Sequence, residues 1–243
     1  MLPILGGCAT SILIERHPLL LAHRGARREA PENSLAAFEL ALAHGCDGFE
    51  FDVRATADGR SILCHNATLF RRSIRRSTYA RLVTVASKKR QPPRPDCEII
   101  ACIEDVIERY AARAFLDIEV KVPGIEKAVV AALRRAPRSR LVVSSFLPEV
   151  VLELRRLEPQ LPLGWICDRR RALPKWRELP CEVVIPHYRI CDEQLVAAIH
   201  QAERRVFVWT VNRQAAIMRF AKMGVDAIIS DDTRLLGRAF HRI

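Results

Sequence analysis

The hydrophobic positions of this chain fall into short runs rich in Val, Ile, Leu and Phe, most of them followed by an amphipathic stretch of helical length. Eight such runs predict strands: Leu19 to His23, Gly48 to Val53, Phe115 to Val120, Leu141 to Ser145, Leu163 to Cys167, Val183 to Pro186, Val206 to Thr210 and Ala227 to Ser230. Helical patterns span Ser34 to His44, Ile103 to Arg113, Ile125 to Arg135, Pro148 to Leu157, Asp192 to Arg204 and Arg213 to Met223, with a weaker one near Arg170 to Leu179. Asp231 or Asp232 is placed to cap a last helix, Thr233 to His241. Eight strands alternating with helices predict an α/β fold closed into a single (β/α)8 TIM barrel over residues 19–243, in preference to an open doubly wound sheet.

One run breaks the alternation. Ser61 to Cys64 follows Val53 too closely for a crossover helix. A two-residue turn at Asp58-Gly59 makes it a β-hairpin extension after strand 2, in a register that sets Asp52 opposite His65.

Reactive residue types gather at the C-terminal ends of these strands, where barrel enzymes assemble their sites. The first strand ends in His23-Arg24-Gly25, and the second carries Glu50 and Asp52 on one face. The hairpin returns His65, the third strand carries Glu119 and Lys121, and the seventh brings Trp209. Singly, each residue has a plainer reading. A strand-end histidine is commonly a packed, hydrogen-bonded residue, and Glu119 and Lys121 share a face on which they can simply pair. Together they are harder to dismiss, because three carboxylates converging on a barrel axis need a neutralising cation. The all-oxygen set Glu50, Asp52 and Glu119 suits a hard divalent metal, Mg²⁺ or Ca²⁺.

Composition bounds the remaining choices. With 49% hydrophobic residues, 243 residues bury one sizeable core. The net charge of +11 favours an anionic partner: a phosphoester, an anionic membrane surface or nucleic acid. No nucleic-acid motif accompanies the charge and the aromatics are sparse and unclustered, which sets nucleic acid aside. Residues 69–95 concentrate Arg71, Arg72, Arg75, Arg76, Lys88, Lys89, Arg90 and Arg94 into an exposed basic excursion, read either as a solvated face or as a surface for peripheral contact with anionic membrane. The eight cysteines form no C-x-x-C pair and several sit in apolar runs, as expected of buried thiols in a reducing, cytoplasmic compartment. No apolar run reaches the length of a membrane span. Residues 1–18 are expected to form a floppy or helical leader, lacking the basic flank of a secretory signal.

Several short motifs then occur in a telling order. Ala22-His23-Arg24-Gly25, Pro31-Glu32-Asn33-Ser34, Glu50-Phe51-Asp52-Val53, Asp58-Gly59, Cys64-His65, Thr68-Leu69 and Glu119-Val120-Lys121 are followed by Ser144-Ser145-Phe146, Trp209-Thr210-Val211-Asn212 and Gly224-Val225-Asp226. This ordered set resembles the signature of the glycerophosphodiester phosphodiesterase family, within the phospholipase-C-like barrel superfamily, over nearly the whole chain from residue 19 onward.

The resemblance implies metal-dependent hydrolysis of a small glycerophosphodiester to an alcohol and glycerol 3-phosphate. It implies His23 and His65 as the general acid and base, and Glu50, Asp52 and Glu119 as metal ligands. Arg24 and Lys121 would then contact the phosphate, Glu32 and Asn33 support them, and Phe146 and Trp209 wall the substrate pocket. Three departures stand out. Ser34 replaces a usual Thr, keeping a hydroxyl suited to capping. Asn66 follows His65 where Asp is usual, so it can hydrogen-bond but supplies no charge. Ala101-Cys102-Ile103-Glu104-Asp105 replaces Pro-Thr-Leu-Glu-Glu before a helix. Two other readings stay open: a lysophospholipase D-like or other lipid-headgroup phosphodiesterase, and a catalytically silent anion-binding scaffold, against which the intact histidines and carboxylates argue. Asp231 is expected to cap a helix and His187 to be structural.

Overall fold

The computed structural model describes residues 17–89 and 100–243. The expected leader therefore lies almost wholly outside the described residues, as do Arg90 and Arg94 of the basic excursion. In chain order β1 (Leu19–His23), α1 (Leu35–Ala43) and β2 (Gly48–Ala55) lead into β3 (Ser61–Leu63). The excursion contributes a small hairpin, β4 (Thr68–Leu69) and β5 (Arg72–Ser73), and then α2 (Tyr79–Lys89). Next come α3 (Ile103–Tyr110), β6 (Phe115–Val120), α4 (Glu126–Ala132), β7 (Leu141–Ser145), α5 (Pro148–Leu157), β8 (Leu163–Cys167) and β9 (Val183–Pro186). The chain ends through α6 (Glu193–Gln201), β10 (Arg205–Val208), α7 (Gln214–Lys222), β11 (Ala227–Ser230) and α8 (Thr233–Ala239).

Eight of the strands are parallel and close on themselves in the order β1-β2-β6-β7-β8-β9-β10-β11, the last pairing back on β1 at Leu19↔Ala227. β3 hangs outside the ring, antiparallel to the overrunning end of β2, and the β4–β5 hairpin forms a separate two-stranded sheet. The predicted barrel is therefore the fold.

Strand alternation sorts the chemistry. On β2 and β6, Phe49, Phe51, Val53, Leu116, Ile118 and Val120 pack outward into the core beneath the helices. The residues between them, Glu50, Asp117 and Glu119 among them, face a cavity inside the barrel. Beneath that cavity the barrel is plugged by Leu21, Phe115, Val142, Val183, Phe207 and Ala227, as layered side chains fill barrels of this kind. At the foot of β2, Gly48 is dictated by closeness: a Cβ there would lie 1.8 Å from the Phe115 carbonyl oxygen.

The structure moves several expected boundaries. β10 starts one residue earlier than predicted and ends at Val208, leaving Trp209 and Thr210 just past the strand. The weak helix near Arg170 is a 3₁₀ turn, Arg170–Arg177, with Pro174 inside it, where a proline cannot supply an α-helical hydrogen bond. The hairpin register differs by one: Val53 pairs with Leu63 and Ala55 with Ser61. The cause is a three-residue loop, not the expected two-residue turn. Thr56 N–H bonds Arg60 C=O at 3.0 Å, Gly59 N–H bonds Thr56 C=O at 3.1 Å, and Gly59 sits at φ +79°, the hairpin that ends in a left-handed glycine. Asp52 thus pairs with Cys64, whose N–H donates to the Asp52 carbonyl at 3.0 Å, rather than with His65.

Candidate active site

The loop after β1 is shaped by left-handed backbone. Arg24 (φ +59°), Gly25 (φ +78°) and Asn33 (φ +55°) turn the chain sharply over the barrel mouth, a conformation that costs side-chain-bearing residues energy and is retained where the surroundings enforce it. They do so here: Arg24 N–H donates to the Glu50 carbonyl at 2.9 Å, and Asn33 N–H to the Arg24 carbonyl at 3.0 Å. A Cβ on Gly25 would meet Ala37 at 2.7 Å, so glycine is the residue that lets α1 pack against this turn. Ser34 caps α1 as expected, its Oγ accepting from Ala37 N–H at 3.2 Å. Cys102 stands at the N-cap of α3, where its own N–H is bonded by the Asp105 carboxylate at 2.7 Å, so the altered motif still starts a helix.

Glu50, Asp52 and Glu119 each offer an oxygen, all within 4.8 Å of one another, and all three residues are buried. Ladder pairing explains the convergence, since Asp52 lies opposite Glu119 and His23 opposite Glu50. Asp52 is the most enclosed of the three. Arg24 Nε lies 3.1 Å from its Oδ2 and Lys121 Nζ 3.2 Å from its Oδ1. Asn33 grips it twice, donating from Nδ2 to Oδ2 at 2.9 Å and accepting the Asp52 N–H at 3.2 Å. Burial would raise the Asp52 carboxyl, yet Lys121, Arg24 and Asn33 together hold it below its ordinary range.

Its neighbours behave oppositely. Burial, then the charges of Asp52 and Glu119, push Glu50 upward, and burial carries Glu119 to about 7 despite the Lys121 ammonium 2.6 Å from its Oε1. Glu50 Oε1 is buried without a hydrogen-bond partner among the described residues. Fully ionised, the three carboxylates against the two cations Arg24 and Lys121 would leave one negative charge, the wrong sign for receiving a phosphodiester anion. A divalent ion on Glu50, Asp52 and Glu119 reverses that sign, gives the orphaned oxygen a partner and matches an all-oxygen donor set. The residues present fit such an ion.

The two histidines reach the same cavity by different routes. His23 ends β1, and its Nδ1 lies 2.7 Å from Asp231 Oδ1, with Nε2 3.8 Å from Glu50 Oε2. Burial favours the neutral imidazole and lowers its pKa, against the pull of Asp231. Burial alone would raise the Asp231 carboxyl, but the His23 and Asn212 hydrogen bonds and the Arg27 charge hold it at about 2. An ionised carboxylate only accepts, so His23 donates through Nδ1–H and keeps the Nε2 lone pair toward Glu50 and the cavity. His65 lies two residues past the end of β3 and is less enclosed; burial lowers its pKa, opposed by Asp52. Its Nδ1 lies 3.2 Å from Asn66 Oδ1.

The cavity holds about 120 Å³ and is lined by both histidines, Arg24, Glu50, Glu119 and Lys121, with Phe146 and Trp209 forming its apolar wall. Those two rings meet edge to face at 5.5 Å, and Trp209 Nε1 is fixed by the Ile185 carbonyl at 3.0 Å. Glu32 stands outside the cavity, 3.3 Å from Arg24 and 2.7 Å from Arg27. All eleven residues singled out in the sequence thus surround one mouth or brace it.

The sequence reading missed Asp231. The cap of α8 is Asp232, whose Oδ1 accepts from Leu235 N–H at 2.9 Å. Asp231 instead faces His23, gripped by Asn212 Nδ2 at 2.7 Å while Asn212 Oδ1 accepts the Asp231 N–H at 2.9 Å. Only adjacency to the strand end could have hinted at it. His187 packs against Trp209 with centroids 5.1 Å apart, outside the cavity that the two candidate histidines line.

Comparison with known proteins settles the lineage. Residues 23–235 match the model of the glycerophosphoryl diester phosphodiesterase family. The chain belongs to that family. It is 29% identical to the glycerophosphodiester phosphodiesterase of Caldanaerobacter subterraneus subsp. tengcongensis, over 90% of this chain and 96% of that one. The Bacillus altitudinis glycerophosphodiester phosphodiesterase is 28% identical, over 87% and 94%. Among solved structures, the Oleispira antarctica phosphodiesterase in complex with the product sn-glycerol-3-phosphate superposes with a TM-score of 0.80 at 26% identity, covering 93% of this chain and 97% of its own. The glycerophosphoryl diester phosphodiesterase family is a family of hydrolases, and this member keeps both histidines and all three carboxylates of the resemblance.

Proposed function

We propose that the protein hydrolyses glycerophosphodiesters to an alcohol and glycerol 3-phosphate through His23 and His65, with a divalent ion on Glu50, Asp52 and Glu119. The observation that carries the reading is the meeting of two histidines, Glu50, Glu119 and two cations on one cavity of about 120 Å³, with the Asp52 carboxylate within 4.8 Å of both acids. Arg24 and Lys121 bind the phosphate oxygens, and Asn33 and Glu32 hold Arg24 and Asp52 in place. When bound, the ion supplies positive charge that stabilises the phosphoryl oxygens as negative charge builds on them.

His23 Nε2 takes the proton of the attacking oxygen, from water or a substrate hydroxyl, and Asp231 stabilises the imidazolium so formed, as a carboxylate does for a catalytic histidine. His65 delivers a proton to the leaving alkoxide. The membrane-facing variant of this reading, a lysophospholipid substrate, draws on Arg71, Arg72, Arg75 and Arg76, all exposed and none in an ion pair among the described residues.

The test is release of glycerol 3-phosphate from glycerophosphocholine by the purified protein. Turnover that exceeds turnover of lysophosphatidylcholine supports the deacylated diester as substrate; the reverse preference supports the lipid. No turnover of either, with Mg²⁺ or Ca²⁺ supplied, overturns the assignment. Asp231→Asn keeps a hydrogen-bond acceptor for His23 but removes its charge. It should lower kcat roughly a hundredfold with little change in KM, and an unchanged kcat would reduce Asp231 to packing.

A further inference from the structure

Beside the catalytic cavity lies a second hollow of about 750 Å³, built by the loops after β9 and β10 and the start of α7. The two are divided by a pair of rings that meet edge to face: Trp209 lines the catalytic cavity, His187 lines the hollow, and their centroids are 5.1 Å apart. Among the described residues no carboxylate lines the hollow. Arg189, Arg213 and Arg219 do, all exposed, and none of them forms an ion pair with a carboxylate among the described residues. Two of the three guanidiniums rest on aromatic faces. Arg189 lies 5.6 Å from the Tyr188 ring centroid and donates from Nε to the Tyr188 hydroxyl at 3.1 Å; Arg219 lies 4.7 Å from the Phe220 centroid.

Three cations sharing a concavity with no counter-charge repel one another, and their common field is relieved by an anion. Guanidinium steadied on an aromatic face is suited to the planar, bidentate recognition of phosphate oxygens. The hollow is also wired to the chemistry. Asn212 lines it, and the same Asn212 amide holds Asp231, which holds His23. An anion seated there is two side chains removed from the catalytic imidazole, on the Trp209 side of the mouth.

We propose that this hollow is a headgroup subsite for a second phosphate, and that the protein prefers glycerophosphodiesters whose leaving alcohol is itself a phosphomonoester. The proposal rests on the diester hydrolysis proposed above and adds the charge of the alcohol. Arg213→Gln with Arg219→Gln, both exposed and remote from the carboxylate cluster, is the variant to make. With glycerophosphoinositol 4-phosphate as substrate its KM should rise about tenfold or more at unchanged kcat, while both constants for glycerophosphocholine stay as in the parent. Equal change on the two substrates, or none on either, overturns the subsite.

A binding measurement separates this from failure of the hydrolytic reading. Inositol 1,4-bisphosphate titrated by calorimetry should bind the parent about tenfold more tightly than the double variant, with the difference shrinking as salt is added. The same affinity for both proteins overturns the proposal, whether or not any diester is turned over.

Discussion

Replacing His23 with alanine should lower kcat toward glycerophosphocholine by about 10²–10⁴-fold, the range that a positioned acid or base contributes, with KM changed only a few-fold. The side chain is not placed to bind substrate through charge, because burial favours its neutral form. Its value lies in the Nε2 lone pair, directed at the cavity by the Nδ1–H bond to Asp231 at 2.7 Å. The variant also strips Asp231 of its partner, and that carboxyl, held at about 2 in the parent, should move back toward its ordinary value. Stability from Asp231 is present above the unfolded value and is lost as pH falls through about 2, so the variant should lose Tm above the unfolded value and show a flatter acid limb. Steady-state kinetics and a pH series of melting curves read the two effects apart. A variant that melts early but retains kcat within a few-fold would make His23 a structural residue.

Chelation should leave the protein less stable at alkaline than at mildly acidic pH, and added Mg²⁺ or Ca²⁺ should reverse the trend. Burial raises the Glu119 carboxyl from its ordinary 4.5 to about 7. The folded chain therefore holds a proton there that the unfolded chain has released, and stability falls as pH rises through that window. Asp117, also raised to about 7 by burial, adds with the same sign. Asp231 has the opposite sign, but its titration is complete well below this window. An ion present at a hundred times its Kd contributes about 2.7 kcal/mol, worth roughly 5–10 °C in Tm for a chain of this size, and most at the upper end of the range, where protons no longer compete. Glu119→Gln should flatten the pH dependence of the chelated protein and shrink the gain from the ion. An ion-independent Tm across the whole range would remove the metal from the proposed chemistry.

Much of this was legible in the chain because its signals were local and redundant. Six of the eight predicted strands match the observed ones end for end, since a barrel strand is a short apolar run between turns. Glu50 and Asp52 could be placed on one face by period-two counting, and Glu119 joined them through its place at the C-terminal end of another barrel strand. What escaped was whatever depended on a single residue or on pairing at a distance. The hairpin slipped by one because Asp58-Gly59 fits either a two-residue turn or the end of a three-residue loop; Asp58 in fact bonds Thr56 Oγ1 at 2.6 Å and Tyr79 N–H at 3.0 Å. His65 still reaches the mouth because the paired strand has already ended at Leu63. Asp231 and Asp232 are indistinguishable as letters, and only the closure of β11 against β1 brings one of them to His23, 208 residues away in sequence.

β2 outruns the ring, and its overhang makes the two histidines unequal in origin. His23 ends a strand that is locked between two parallel neighbours, whereas His65 rides on a cantilever whose root is the acidic strand and whose tip is tied to α2 through Asp58. The ring that holds the acids and the arm above it are therefore built by different pairings, parallel closure for the one and a single antiparallel hairpin for the other, so that a change in the basic excursion bears on the arm carrying His65 before it bears on the ring.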